Sequence, residues 1–445
     1  MSAPDPLWYR CSAGHEWDIH VVQDGRDHRA LHNDSEFDAV RIDTPAEARE
    51  EMPSRAALWP APPDEAAYHG PAGDIVRAIQ PFTEADPVGL LGTFLAIFGT
   101  MAGDRWSLHQ GEQQHTNIFV TLVGDTGTGR KGTAYSAISE VYKLVDKDWH
   151  MLLVTGLGSG EGLISFLKRR EDDPRALVME SEFGHFLIAM TREGSTLSSI
   201  IRNAWDGVPL GRWIADPKKS GTIVRHHVGM LANITDIELA QRLTSTEAAN
   251  GFGNRFLWLS VRRDHLLPFT EPLIAPVTPH LKKLKDALAF ADKGGFMHYS
   301  PEAREIWKSF YMRQVPRMGL LGALIGRREP YIARLAMIYA LLDCTATIGV
   351  EHLLAAAALW DYADHSTVYI FGDSTGDRHA DALLKMLGEK SPLPWLEIIR
   401  ERHLKPAEMD SAVGILTRLG LVREVRIARP GGGRPRREIE LIAQS

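Results

Sequence analysis

The chain has 445 residues, of which 44% are hydrophobic and 24% charged, the balance of a folded globular protein of two or three domains and not of a disordered or fibrous one. Its formal net charge of −7 excludes a uniformly basic nucleic-acid binder, and the two cysteines, Cys11 and Cys344, exclude a disulfide framework and point to a reducing cytoplasm. No charged start followed by an apolar stretch suggests a signal peptide, and the uncharged run Val88 to Gly103 falls short of the ~20 apolar residues a membrane span needs, so a buried helix is expected there and no membrane partner.

Charge is unevenly placed. Residues 1–75 hold 6 Lys/Arg against 15 Asp/Glu, whereas residues 400–437 hold 10 against 4, so any nucleic-acid contact is expected near the C-terminus. Residues 1–73 read as an acidic arm or small appendage, punctuated by Pro60, Pro62, Pro63 and Pro71 and without long periodicity. Cys11, His15, His20, His28 and His32 are zinc-type ligands in no spacing that zinc sites use, and ordinary surface sequence explains them as well. From Asp74 to Gly103 apolar residues recur at helical spacing and predict two helices broken near Pro87.

The chemistry begins at Asn117. Apolar, β-rich sequence from Ile118 to Val123 runs into a turn carrying Gly124, Gly127, Gly129 and Gly132, and a helical pattern extends from Thr133 to Val145. A strand, a glycine loop with a lysine and a helix hold nucleotide phosphates because the curled loop turns its amides toward an anion and the helix N-terminus adds partial positive charge. The expected phosphate cradle is Gly124, Thr126, Gly127, Gly129, Arg130, Lys131, Gly132 and Thr133, with ATP and Mg²⁺ as the ligands. In the usual pattern Lys and then Ser or Thr follow the second glycine directly; here Arg130, Lys131, Gly132 and Thr133 follow Gly129. Lys131 is therefore assigned to the phosphates and Thr133 to the metal, with Arg130 the alternative cation. The plain alternative is a glycine-rich βα turn with exposed basic residues.

A second strand, Met151 to Thr155, leads through GLGSGEG to a helix from Gly162 to Arg169, and a third strand, Ala176 to Glu180, closes on Ser181 and Glu182. Alternation of strand and helix predicts parallel strands with right-handed crossovers. Acids at the carboxyl end of such a strand suit nucleotide hydrolysis: Glu182 is read as the base that activates water and Glu180 as the acid on the metal side, roles that could be exchanged. A hairpin follows, with Lys218 and Lys219 at its tip, which would touch a nucleic-acid backbone or be a solvated turn. The strand Val228 to Ile234 places Asn233 where a polar side chain would sense the γ-phosphate or end a strand. After an expected helix, Ile237 to Ala249, Arg255 precedes the strand Phe256 to Val261; it would supply charge to a neighbouring subunit's nucleotide, or pair with a carboxylate of its own chain.

Residues 270–295 read as a connection, and Pro301 to Phe371 as almost wholly helical, an α-helical lid from which Arg328 and Arg334 could reach the phosphates. Residues 379–445 read as helices Ala380 to Leu387, Pro394 to Arg402 and Ala407 to Leu419, then strands Val422 to Ala428 and Arg437 to Ile442 around RPGGGRPRR. That is the order of a winged helix, with Arg429, Arg434, Arg436 and Arg437 as candidate DNA contacts at the wing; use of the wing for protein contact is the alternative.

The segments TEADPVGLL (83–91), GDTGTGRKGTA (124–134), GLGSGEGLI (156–164), ESEFGHFL (180–187), REGSTLSSIIRNAWDG (192–207), NGFGNRFLW (250–258) and RLAMIYALLD (334–343) together resemble a family of largely uncharacterised, helicase-like P-loop ATPases of bacterial genomes, phages and mobile elements. The likeness runs over about residues 75–375, and within it the Arg-Lys-Gly-Thr loop and the Glu-Ser-Glu acids look like family variants. The resemblance implies an AAA+ or RecA-like ATPase linked to DNA replication.

The combined expectation is an α/β P-loop NTPase: an acidic arm (1–73), an ATPase core (74–270), an α-helical lid (271–378) and a winged helix (379–445). Its function would be that of a cytoplasmic, ATP-hydrolysing motor on single-stranded or forked DNA, a helicase assembled as a homo-oligomeric ring such as a hexamer. The alternatives are an ATP-switched DNA-binding initiator or defence protein that assembles without unwinding, and a scaffold that has lost its ATPase activity.

Overall fold

The computed structural model describes residues 59–212, 221–243, 247, 250–312, 319–372, 375, 377–418, 421–427 and 436–442, together with three short strands nearer the N-terminus. Lys218, Lys219, Arg429, Arg434 and the zinc-type ligands Cys11, His15, His20, His28 and His32 lie outside the described residues. The first 59 residues form one unit, in which β1 (Trp8–Arg10) pairs antiparallel with both β2 (Glu16–Asp18) and β3 (Val40–Ile42).

The second unit, residues 60–445, opens with α1 (Gly70–Ile79) and α2 (Pro87–Ala102). Asp86 caps α2 by accepting from the Val88 amide at 2.9 Å, and Pro87 fits the first turn, where its missing N–H is not needed. Every residue of α2 from Val88 to Ala102 is buried, as its unbroken apolar sequence requires. Next come β4 (Trp106–Gln110), β5 (Glu112–Gln114) and β6 (Phe119–Val123), then α3 (Lys131–Val145), β7 (Leu153–Thr155), α4 (Gly160–Lys168) and β8 (Arg175–Glu180). These are followed by α5 (Phe183–Met190), α6 (Leu197–Asp206), the short hairpin β9 (Leu210–Arg212) and β10 (Gly221–Ile223), β11 (His227–Ile234), α7 (Asp236–Arg242) and β12 (Leu257–Ser260).

Strands β12, β6, β11, β8 and β7 lie in that order in one parallel sheet. The register aligns their carboxyl ends: Val123 stands beside Ile234 and Ser260, Ala232 beside Glu180, and Met179 beside Thr155. With the glycine loop between β6 and α3, this is the P-loop NTPase arrangement of strand, loop and helix. Ligands of open α/β sheets bind at this edge, where the connecting loops gather.

The stretch read as a connection at 270–295 is instead largely helix α8 (Ile274–Ala291), with Pro279 inside it. Val277, Leu284, Ala287 and Ala291 fall on one buried face, and that stripe outweighs the prolines near the start. Then come β13 (Gly295–Tyr299), α9 (Pro301–Met312), α10 (Gly319–Ile325), α11 (Arg328–Leu342), β14 (Thr347–Ile348) and α12 (Val350–Phe371). A second, mixed sheet in the order β14, β13, β4, β5 was not foreseen, because its strands are two to five residues long and carry little alternation.

The helices after β12 share one continuous core with the parallel sheet. The Tyr331 hydroxyl donates to the Phe119 carbonyl at 3.0 Å and the Arg255 carbonyl at 2.7 Å, and Tyr362 donates to the Ser260 carbonyl at 2.6 Å. At the far end of α11, Asp343 accepts from His69 at 2.7 Å and from His352 at 3.1 Å. The Gly349 amide donates to Nδ1 of His352 at 2.9 Å, which leaves the proton on Nε2 and makes this trio a hydrogen-bonded clasp and not a metal site. Burial would raise the Asp343 carboxyl, but the His352 and His69 imidazoles hold it well below the usual carboxylate range.

Residues 378–442 contain α13 (Arg378–Glu389), β15 (Leu393–Pro394), α14 (Trp395–Arg402), α15 (Pro406–Arg418), β16 (Val422–Ile427) and β17 (Arg436–Leu441). The antiparallel order β15, β17, β16 completes a winged-helix arrangement over a separate core built on Leu383, Trp395, Ile398, Met409, Leu416 and Ile439. No helix among the described residues is long and apolar enough to cross a membrane.

Two predictions follow from these ties. Tyr331→Phe leaves two buried carbonyls without their donor and should lower unfolding free energy by about 1–3 kcal/mol, read from urea denaturation. The hydrogen bond to Asp343 raises His69 above 6.5, so its stabilisation is fully present below pH 6.5 and is lost as pH rises through the raised value. The gap in urea midpoint between the wild type and His69→Gln should accordingly be widest in mild acid and narrow on the alkaline side; a gap independent of pH would refute the clasp.

Candidate nucleotide-binding site

β6 is buried at every position, and its end is fixed from both sides: the Gly124 amide donates to the Ile234 carbonyl at 3.2 Å, and the Val261 amide donates to the Val123 carbonyl at 2.8 Å. A methyl group on Gly124 would run into the Val261 carbonyl, so the loop can start only with glycine. Gly127 adopts φ 76°, a left-handed conformation that glycine accepts without strain, and lies in open space. Gly129 donates back to the Asp125 carbonyl at 3.0 Å and closes the turn.

Lys131 begins α3, and its ammonium folds back on the loop, donating to the Gly124 carbonyl and, at 3.2 Å, to the Asp125 carbonyl. Burial pushes this lysine below its ordinary value, against the pull of the Asp125, Glu182 and Asp236 carboxylates. Thr133 sits two residues further along, in the first turn of α3. Arg130 does not share the phosphate loop's interior: it adopts φ 46° and pairs with Glu84 at 2.5 Å. Glu84 also accepts from the Leu267 amide at 3.0 Å, so this ion pair ties the loop to the corner before α2 and to the chain after β12.

The two acids of Glu-Ser-Glu separate. Glu180 is buried, accepts from the Leu157 amide at 2.7 Å, and is raised by that burial; it braces the loop after β7. Glu182 is exposed at the start of α5 and lies within the field of Lys131. Asn233 is buried near the end of β11, with its Oδ1 lacking a hydrogen-bond partner. Asp236, buried at the start of α7, was missed in the sequence; its one signal was its position three residues beyond Asn233 at a strand's carboxyl end.

Other expected residues stand elsewhere. Arg255 is buried and turned into its own chain: Nη2 meets Asp206 Oδ2 at 2.5 Å, Nε meets Oδ1 at 3.3 Å, and Nη1 donates to the Gly251 carbonyl. The outward-facing arginine is thus corrected to an internal ion pair, because Asp206 ends α6 opposite it. Arg334 does not reach the phosphates either; it is buried and donates to Gln114 at 2.9 Å, to the Asn117 carbonyl at 2.9 Å and to the Trp205 carbonyl at 3.0 Å. Arg328 donates to the Phe310 carbonyl at 3.0 Å.

In the winged helix, Arg437 is held by Glu424 at 2.8 and 2.9 Å and by Asp410 at 3.2 Å, and lies 3.4 Å over the Trp395 ring. Arg436 pairs with Glu438 at 2.8 Å, Arg423 with Glu440 at 2.7 Å and Arg426 with Glu424 at 3.1 Å. The described part of the wing is therefore charge-balanced, and neither Arg436 nor Arg437 is a free cation for DNA.

No protein-family model matches the chain, and no curated protein matches it. Among solved structures, the Aeropyrum pernix ORC1 protein in complex with DNA aligns at 12% identity over 88% of this chain and 92% of its own, with a TM-score of 0.21. The Aeropyrum pernix ORC2 protein, as ADPNP–ADP complexes, aligns at 11% identity over 74% and 84%, with a TM-score of 0.20. At that level of superposition the likeness carries no argument about this chain.

Since Asp206 is the carboxylate that Arg255 and, at 3.3 Å, Arg327 share, Asp206→Asn should cost about 3–5 kcal/mol in guanidinium unfolding, the loss typical of a broken buried pair.

Proposed function

We propose that the chain is an ATP-hydrolysing protein that acts on DNA, with ATP held on the loop from Gly124 to Thr133. The observation that carries this reading is the convergence, at one end of one parallel sheet, of a glycine loop, a lysine ammonium and the Glu182 and Asp236 carboxylates. On binding, the Lys131 ammonium exchanges the Gly124 and Asp125 carbonyls for phosphate oxygens, while the amides of residues 127–132 face the same anion. Glu182 accepts the proton of the attacking water, and the unpartnered Oδ1 of Asn233 orients that water.

The donors beside the loop, the Thr133 hydroxyl and the Asp236 carboxylate, are hard oxygens of the kind Mg²⁺ takes. Mg²⁺ would be held there and would neutralise charge on the phosphates. Asp236 suits this side better than Glu180, which is spent on the Leu157 amide.

Between the two modes of action on DNA, the engagement of Arg255 by Asp206 favours an ATP-switched, DNA-binding protein that assembles without unwinding. It removes the contact through which one subunit of a ring motor would complete its neighbour's site. A strand-displacement assay separates the modes: a helicase unwinds in proportion to ATP used, a switch does not.

Lys131→Ala should reduce ATP turnover more than about 100-fold and weaken ATP binding, whereas Glu182→Gln should reduce turnover as much and leave binding intact. Asp236→Asn should weaken Mn²⁺ binding to the nucleotide complex, read by electron paramagnetic resonance. Unchanged turnover in the Lys131→Ala protein would overturn the reading.

A further inference from the structure

A second cluster, apart from the glycine loop, gathers around Trp205. Arg334, Arg327 and Arg255 stand 3.6, 4.8 and 5.9 Å from its ring centroid. Arg202, one turn before Asp206 on α6, donates to the Asn250 carbonyl at 3.1 Å, beside the Gly251 carbonyl that Arg255 uses. Four guanidinium groups thus converge, and among the described residues their ion pairs reach a single carboxylate, Asp206, shared between Arg255 and Arg327. Every hydrogen-bond acceptor of Arg334 is a neutral carbonyl or amide oxygen, and the Nε of Arg202 is buried without a partner.

Buried positive charge in excess is costly, and stacking on an indole relieves only part of it. Burial pushes Arg334 down to about 9 and lowers Arg327, with Arg255 adding repulsion. The cluster is not sealed: the Arg327 and Asp206 side chains are 26% and 24% exposed, against 7% for Arg255. Three segments singled out in the sequence, 192–207, 250–258 and 334–343, meet here, and the nucleotide site uses none of them.

We propose that Arg202, Arg255 and Arg327, gathered beside Trp205, form a second anion site that takes a phosphate group, of a nucleic-acid backbone or of a nucleotide bound to a second copy of the chain. The planar guanidinium fork suits phosphate oxygens, and Arg327, at the open side, makes first contact. The site does not depend on ATP hydrolysis at the glycine loop.

The test uses the full chain carrying Lys131→Ala, so that phosphate on the glycine loop does not contribute. Inorganic phosphate, compared with chloride at equal ionic strength, should raise the thermal midpoint of this protein. Adding Arg327→Gln should weaken phosphate affinity about tenfold or more. Arg202→Gln provides a second variant if Arg327→Gln does not fold, and Arg327→Lys, which keeps the charge and loses the fork, should fall between. Equal midpoints in the two salts, or an undiminished phosphate effect in Arg327→Gln, would overturn the proposal.

Two further arms identify the source. With a nucleic-acid backbone, Arg327→Gln lowers the salt dependence of oligo-dT binding by roughly one counterion. With a second copy's nucleotide, oligo-dT binding is unchanged, and mixing the Lys131→Ala and Arg327→Gln proteins restores ATP turnover that each lacks alone. A phosphate effect with neither arm responding reduces the cluster to adventitious anion binding and also overturns the proposal.

Discussion

The two-sided pairing of β11 is the constraint on which the site depends. It lies between β6 and β8 in parallel, and through it the residue after the glycine-loop strand, Gly124, is bonded to Ile234. A shift of one residue in this register would turn every side chain to the opposite face and carry Asn233 and the entry to α7 away from the loop. The uninterrupted burial of β6 and β11 fixes that register, so the apolar core sets the spacing of the polar groups at its edge.

The site's electrostatics are those of a closed, unliganded state. The Lys131 ammonium is satisfied by loop carbonyls and opposed by burial, while Asp125, Glu182 and Asp236 supply negative charge around it. A polyanion must therefore bring counter-charge of its own, which is the physical reason a divalent cation belongs at this loop. Arg130, the nearest other cation, is committed to Glu84 and reports to a different part of the chain.

Much of the sheet was legible in the sequence because the strands from Ile118 to Val123, Ala176 to Glu180 and Val228 to Ile234 are continuous apolar runs that end in glycine or acid. The glycine loop was legible because its residue types answer one need, the approach of backbone to an anion. What escaped was of two kinds. Helix α8 was hidden by Pro276 and Pro279, although Val277 and Leu284 already marked its buried face. The partners of arginine escaped altogether: nothing in the local sequence says that Arg255 meets Asp206 across 49 positions, or that Arg334 is buried against Asn117, since such pairings exist only once α6 and α11 have packed.

The tyrosine bridges have a mechanical corollary. With Tyr331 holding β6 and the Arg255 turn at once, and Tyr362 fastened to β12, the helical layer and the sheet behave as one stiff block whose interior has no seam along which to slide. The winged helix, by contrast, keeps an oily centre of its own. Work extracted from a cleaved phosphate bond would thus emerge as a pivot at the joint following Phe371, swinging the small C-terminal body as a rigid arm.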